Sequence, residues 1–183
     1  MSLHPLLPMR SRRALAIATA ASVTLTACSP ALDWREVRPV DSRLLLLMPC
    51  RPLVHERSVP LAGQTVKLAL QACDAGGQTW GLAVAELNDP GRVAPALAEL
   101  GALAASNIGA RAGPSLPIQI LGATPHPGQH RLRLSGHLPD GKAVTMQLVV
   151  FSHGTRVFQA TVLGEQVPDD AAEMFFGALR IQP

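Results

Sequence analysis

The sequence predicts an α+β protein in which one antiparallel sheet of about six to seven strands is covered by two helices, in the order βββ-α-ββββ-α. Three observations carry that expectation. Apolar residues alternate with polar ones over several short stretches separated by Gly, Pro and Asp turns. Between Arg92 and Asn107 the apolar period changes to three and four residues. The end, PDDAAEMFFGALRI, opens on acids and continues with clustered apolar side chains. A chain of 183 residues has room for one domain with a real core, placed at residues 43–183.

The first segment has the order of a secretory signal. A basic stretch, MRSRR, precedes an uncharged run of 14 residues, Ala14 to Ala27. A bilayer span needs about 20 apolar residues, so the run reads as an export signal over residues 1–27. Leu25-Thr26-Ala27-Cys28 resembles the bacterial lipobox. The resemblance implies that the Cys28 thiol is alkylated with diacylglycerol, that the chain is cut before it, and that the new amino terminus is acylated, with palmitate among the chains. Cysteine suits the role because it alone offers a thiolate nucleophile there. In the Gram-negative lipoproteins that this stretch resembles, Asp after the cysteine favours retention in the inner membrane. Ser29 therefore implies the outer membrane, with the protein facing the periplasm and either leaflet open. Ser11-Arg12-Arg13 is also similar to the start of a twin-arginine signal, although Ala16 stands where a larger apolar residue is usual.

Residues 28–42, rich in charge and proline, read as a tether; about 13 flexible residues span on the order of 20 Å. Trp34 within it has two readings, docking on the domain or contact with the lipid interface. Net charge supports no polyanion partner. Three of the 16 basic residues precede Cys28, which leaves 13 against 13 acidic ones, so no electrostatic footprint for nucleic acid remains.

With Cys28 assigned to lipid, Cys50 and Cys73 form an even pair in an exported chain, which reads as one disulfide. Such a loop closure contributes roughly 3 kcal/mol. There is no C-x-x-C to suggest redox catalysis.

Leu44 to Met48 is a continuous apolar run, a strand buried on both faces, ended by Pro49 and Pro52. Val66, Leu68 and Leu70 alternate with Lys67 and Gln71, and Gly76-Gly77 turns the chain into a third strand, TWGLAVAEL. The helical stretch opens near Gly91 or Arg92, because Pro95 is tolerated only in a first turn, and Asn107 or Gly109 closes it. Four strands follow: Pro117–Leu121, His130–Ser135, Ala143–Phe151 and Arg156–Leu163. Leu138-Pro-Asp-Gly-Lys142 and His153-Gly154-Thr155 are tight turns and imply antiparallel neighbours. In the last helix Asp170 and Glu173 have capping-box spacing, with Met174, Phe175 and Ala178 on one face.

The element order and the ending, RVFQATVLG followed by AAEMFFGAL, resemble the PsbP-like superfamily and its small bacterial lipoprotein members over roughly residues 43–180. The resemblance implies that fold and a binding or assembly role, and it brings no shared active site.

No catalytic motif stands out. His126 and His130 flank a Pro-Gly-Gln loop within reach of one metal, but no Cys, Asp or Glu in that loop accompanies them, so loop histidines are the simpler reading. His137 and His153 lie beside turns; Ser152-His153 lacks a nucleophile elbow. Phosphate loops and H-E-x-x-H are absent, and with no tyrosine and 3% aromatic residues there is little to stack sugars or bases. The expectation is an envelope lipoprotein with a non-enzymatic binding or assembly role, without cofactor or metal, its partners the bilayer through Cys28 and an envelope protein. The binding surface is expected as an apolar patch or groove, for which the loop Ala110–Pro117 is a candidate. The alternative is an envelope hydrolase whose residues only the fold assembles, for example His153 meeting an acid.

Overall fold

The computed structural model describes residues 31–111 and 113–183. The export signal, Cys28, Ser29 and the start of the tether therefore lie outside the described residues, as does Ala112. The class is α+β: a seven-stranded antiparallel sheet, a separate three-stranded sheet and two helices.

Ten strands run in chain order: β1 Arg35–Val37, β2 Leu44–Met48, β3 Leu53–Leu61, β4 Gln64–Ala75, β5 Gln78–Glu86, β6 Ser115–Pro117, β7 His130–His137, β8 Ala143–His153, β9 Arg156–Gly164 and β10 Arg180–Ile181. Helix α1 is Val93–Asn107 and α2 is Asp169–Gly177. Five strands thus precede α1, where three were expected, and β10 follows α2.

The large sheet has the order β3-β4-β5-β9-β8-β7-β6. Two of its hairpins turn as the residues dictate. Gly76 and Gly77 both take positive φ (63° and 79°), as a two-residue turn matched to strand twist requires. Ala62 and Gly63 do the same between β3 and β4, with φ of 50° and 73°. The strand β3 escaped the sequence reading because most of its side chains are exposed and it contains Pro60; it is a sheet edge, where neither period nor proline is penalised. Strand β6 starts two residues before the expected Pro117–Leu121 segment, and of Ile118–Leu121 only Leu121 bridges another strand, at Arg180.

The sheet has apolar side chains on both faces. On β8, Val144, Met146, Leu148 and Val150 face α1, whereas Val149 and Phe151 face α2 and the small sheet. Burial on both sides explains why β8 reads as a nearly continuous apolar run. The first core gathers Ala96, Leu97, Leu100 and Ala104 of α1 over β4, β7 and β8. The second gathers Leu44, Leu46 and Met48 of β2, Trp80, Phe158 and Phe175.

Helix α1 begins where expected. Asp89 accepts from Gly91 N at 2.9 Å, Pro90–Arg92 form one 3₁₀ turn, and Pro95 falls in the first α-turn. Beyond Ile108, Gly109 takes φ 59°. The helix is seated along its length: Arg92 at the N-cap donates to Ala62 O, Glu99 near the middle accepts from Ala62 N at 2.7 Å, and Ile108 O beyond the C-terminus accepts from His137 N at 2.7 Å.

Helix α2 departs from the expectation. Its N-cap is Pro168, with no side-chain cap. Of the expected capping pair, Glu173 is held by Arg131 Nη1 on β7 (2.5 Å) and Asp170 accepts from its neighbour Ala171 N (2.8 Å), while the preceding Asp169 is held by Arg133 and by Gln147 Nε2 (3.1 Å). Met174 is 49% exposed; Ala172, Phe175 and Phe176 form the buried face. Phe175 packs edge-on against Trp80 (centroids 5.3 Å), and that pairing sets the helix rotation.

Within the stretch read as a tether, Arg35–Val37 pairs with β2, and Trp34 stands edge-on to Trp80 at 5.5 Å. Docking is therefore the reading of Trp34 that the structure supports.

Candidate functional site

Helix α1 does not cover its face of the sheet evenly. At the β3–β4 turn, Leu61, Val66 and Leu68 are buried against it. Farther along the same strands Leu70, Ala72, Gly81 and Ala83 are only half-buried, and so are Gln159, Thr161 and Leu163 on β9. The residues that alternate with them on the other face, among them Gln71, Leu82, Ala160 and Val162, are buried. The sheet is thus closed on one side and open on the other over β4, β5 and β9.

The opening is a groove of about 530 Å³ between this face and the α1 side chains Leu100, Leu103, Ala104 and Asn107, with His55, Arg57 and Val59 of β3 on the far wall. Its volume is that of a small-molecule site. Small residues make the floor. A Cβ added at Gly81 would meet no atom closer than Gln71 O at 3.9 Å, so the space above Gly81 is free. Leu103, 47% exposed, overhangs it.

Two features separate the groove from a simple packing defect. Strand β9 is the central strand of the sheet, where a dry face would carry apolar side chains; instead Gln159 and Thr161 point to the groove, Gln159 Nε2 to Thr161 Oγ1 at 3.3 Å. Arg57 is the one side chain of fixed charge in the lining, and it makes no ion pair among the described residues. The sequence held a trace of this: in RVFQATVLG the apolar set Phe158, Ala160, Val162 faces one way and a polar pair the other, unusual for a strand with neighbours on both sides. The groove lies toward β3, away from the loop 110–117 named as its expected place.

The expected site residues fall as follows. Cys50, just past β2, and Cys73, on β4, have their sulfurs at disulfide distance with Cα atoms 5.9 Å apart, within bridging reach. His126 and His130 do approach one another's loop, but both turn to Gly128: His126 Nδ1 accepts from Gly128 N (2.9 Å) and His130 Nδ1 bonds Gly128 O (2.8 Å). Among the described residues no three His, Cys, Asp or Glu side chains are grouped to hold a metal ion.

His153 borders a polar cleft of about 400 Å³ with Asp41, Glu86, Thr155 and Arg156. Its Nδ1 bonds Gly122 O at 3.1 Å, and no bond joins it to Glu86. Partial burial pushes the Glu86 carboxyl up, yet the Thr155 hydroxyl, Asn88 N–H, the Arg156 guanidinium and Leu87 N–H outweigh it and hold the group below its ordinary value. Such a carboxylate is a fixed anion in an ion pair with Arg156 (3.2 Å), poorly suited to proton transfer near neutral pH.

No family model matches the chain, and no curated protein matches it. Fold and geometry define a class: an α+β protein whose large sheet is closed by a small sheet and a helix on one face and left partly open beneath a helix on the other.

Proposed function

We propose that this chain is a lipid-anchored protein of the cell envelope, attached through acylated Cys28 and held at the outer membrane facing the periplasm, whose role is binding or assembly without catalysis. The PsbP-like resemblance belongs to this reading. The observation that carries it is the half-buried face of β4, β5 and β9 beneath α1, a preformed and mainly apolar surface. Support for the anchor is the order of basic stretch, apolar run and lipobox.

Two measurements test it. The Cys28→Ala protein should leave the membrane fraction; its persistence in the pellet, as for the wild type, would end the anchor reading. A photoreactive residue placed at Leu103 of the full chain should give a light-dependent adduct in whole cells, protein or lipid, that the same residue at Asp140 does not. Equal yields at both positions would remove the groove as the working surface.

A further inference from the structure

The proposal above rests on the groove as a binding surface; its chemistry narrows the occupant. We infer that the groove takes a single-chain anionic amphiphile, an aliphatic chain ended by a carboxylate or phosphate, lying along Leu70, Ala83, Leu100 and Leu103 with its charged end at Arg57.

Shape comes first. The floor of Ala72, Gly81 and Ala83 is flat and small, while Leu70 and Leu100 rise beside it, so the space suits a narrow aliphatic chain better than a folded peptide with bulky side chains. Leu61 and Leu68, buried on the β3–β4 hairpin, close the groove at its Arg57 end, where Arg57 is paired with Leu68, so the tail runs away from there past Leu70 and Ala83. Charge comes second. Arg57 and His55 stand on the exposed strand β3 at the rim, and among the described residues no carboxylate lines the groove. The nearest sequence neighbour of opposite sign, Glu56, is engaged by Lys67 Nζ at 2.6 Å. A guanidinium without a partner at the mouth of an apolar slot is complementary to an anion on an apolar tail, and its planar donors fit either head group. Gln159 and Thr161 add hydrogen-bonding capacity on the floor, since their mutual contact leaves the Gln159 carbonyl and a second amide proton for an ester or hydroxyl of the ligand.

The test uses the full acylated chain in phosphatidylcholine nanodiscs and a long-chain fatty acid with a diazirine in its tail. Label is expected on peptides containing residues 68–83 and 97–107. Unlabelled fatty acid and lysophosphatidic acid should compete, and monoacylglycerol, the neutral control, should compete roughly tenfold less well, the loss of about one charge-assisted hydrogen bond. Of the two anionic competitors, the stronger identifies the head group. Arg57→Glu should weaken labelling by ~10-fold or more, and Gly81→Leu, whose Cβ meets nothing closer than Gln71 O at 3.9 Å, should abolish it; an unchanged melting curve for Gly81→Leu shows that the fold is kept. Groove label indifferent to both substitutions, equal competition by monoacylglycerol, or label confined to peptides outside the groove would each overturn the assignment. A protein adduct at Leu103 in cells, with no lipid label in nanodiscs, would overturn the ligand class while leaving the binding role standing; absence of both would remove both.

Discussion

Gly136 shows how a single missing Cβ sets the place of a helix. An added Cβ there would overlap the carbonyl of Ile108, the C-cap residue of α1, whose oxygen accepts from His137 N. Gly136→Ala should therefore push the end of α1 off β7 and cost about 1–3 kcal/mol, read as a lower urea midpoint. An unchanged midpoint would mean that the helix end moves freely. Trp80 carries a larger share. It is fully buried, donates from Nε1 to Ala75 O at 3.1 Å and touches both Trp34 and Phe175, so Trp80→Ala should cost about 3–5 kcal/mol by the same measurement. Cysteine parity and the Gly76-Gly77 turn were legible at this scale because each depends on covalent chemistry or backbone freedom alone. The roles of Gly81 and Arg57 were not, since openness above a glycine and a missing counter-ion are properties of neighbours distant in sequence.

At the scale of elements, α2 is held by a polar strip as well as by aromatic packing. Arg131 donates to Gln147 Oε1 (2.6 Å) and Glu173, lies 4.9 Å over the Phe176 ring, and Arg133 reaches Asp169. Hydrogen bonds from Arg133 and from Gln147, with the Arg133 charge, hold the Asp169 carboxyl below its ordinary value. The sign follows from that depression. The contribution is complete above the unfolded aspartate value of about 3.9 and is lost as pH falls through the lower folded one. Chemical denaturation at a series of pH values should show Asp169→Asn slightly less stable than the wild type at pH 7, with the difference closing as pH falls below about 4. Because Asp169 is largely exposed, the effect should be small, and a large loss at neutral pH would point to a role in helix seating instead. The helix was legible from its acids and apolar cluster. Its buried face was not: Met174 and Phe176 are adjacent to the same core edge in sequence, and only the Trp80 contact decides which turns inward.

Over the whole molecule, the Cys50–Cys73 pair connects the end of β2, in the small sheet, to β4, in the large one. A bond there closes the loop between residues 50 and 73 in the unfolded chain and so lowers its entropy. Replacing both cysteines by Ser should cost roughly 3 kcal/mol, and thiol titration of the unfolded, unreduced protein should find neither free. Two free thiols would end the assignment. Trp34 acts at the same scale by tying the chain before β1 to the second core. Trp34→Ala should raise amide exchange over residues 32–37 while leaving β7–β9 protected.

Sequence by itself determined the class, most strand and helix positions, the turn chemistry, the even cysteine pair and the signal-like start. These are local: period reports which face of an element is apolar, and proline or glycine reports what the backbone tolerates. Tertiary structure alone decided that β9 enters between β5 and β8, that the polar segment 53–61 becomes an edge strand, and that Arg180–Ile181 returns to pair with β2. It also decided the groove. Leu70 and Ala83 would serve equally well in a closed core, and their half-buried state follows from the line α1 takes between Ala62, held by Arg92 and Glu99, and His137 at the other end. Those contacts join residues 29 to 37 positions apart, and the area a helix leaves uncovered is set by such long-range geometry, which no local pattern encodes.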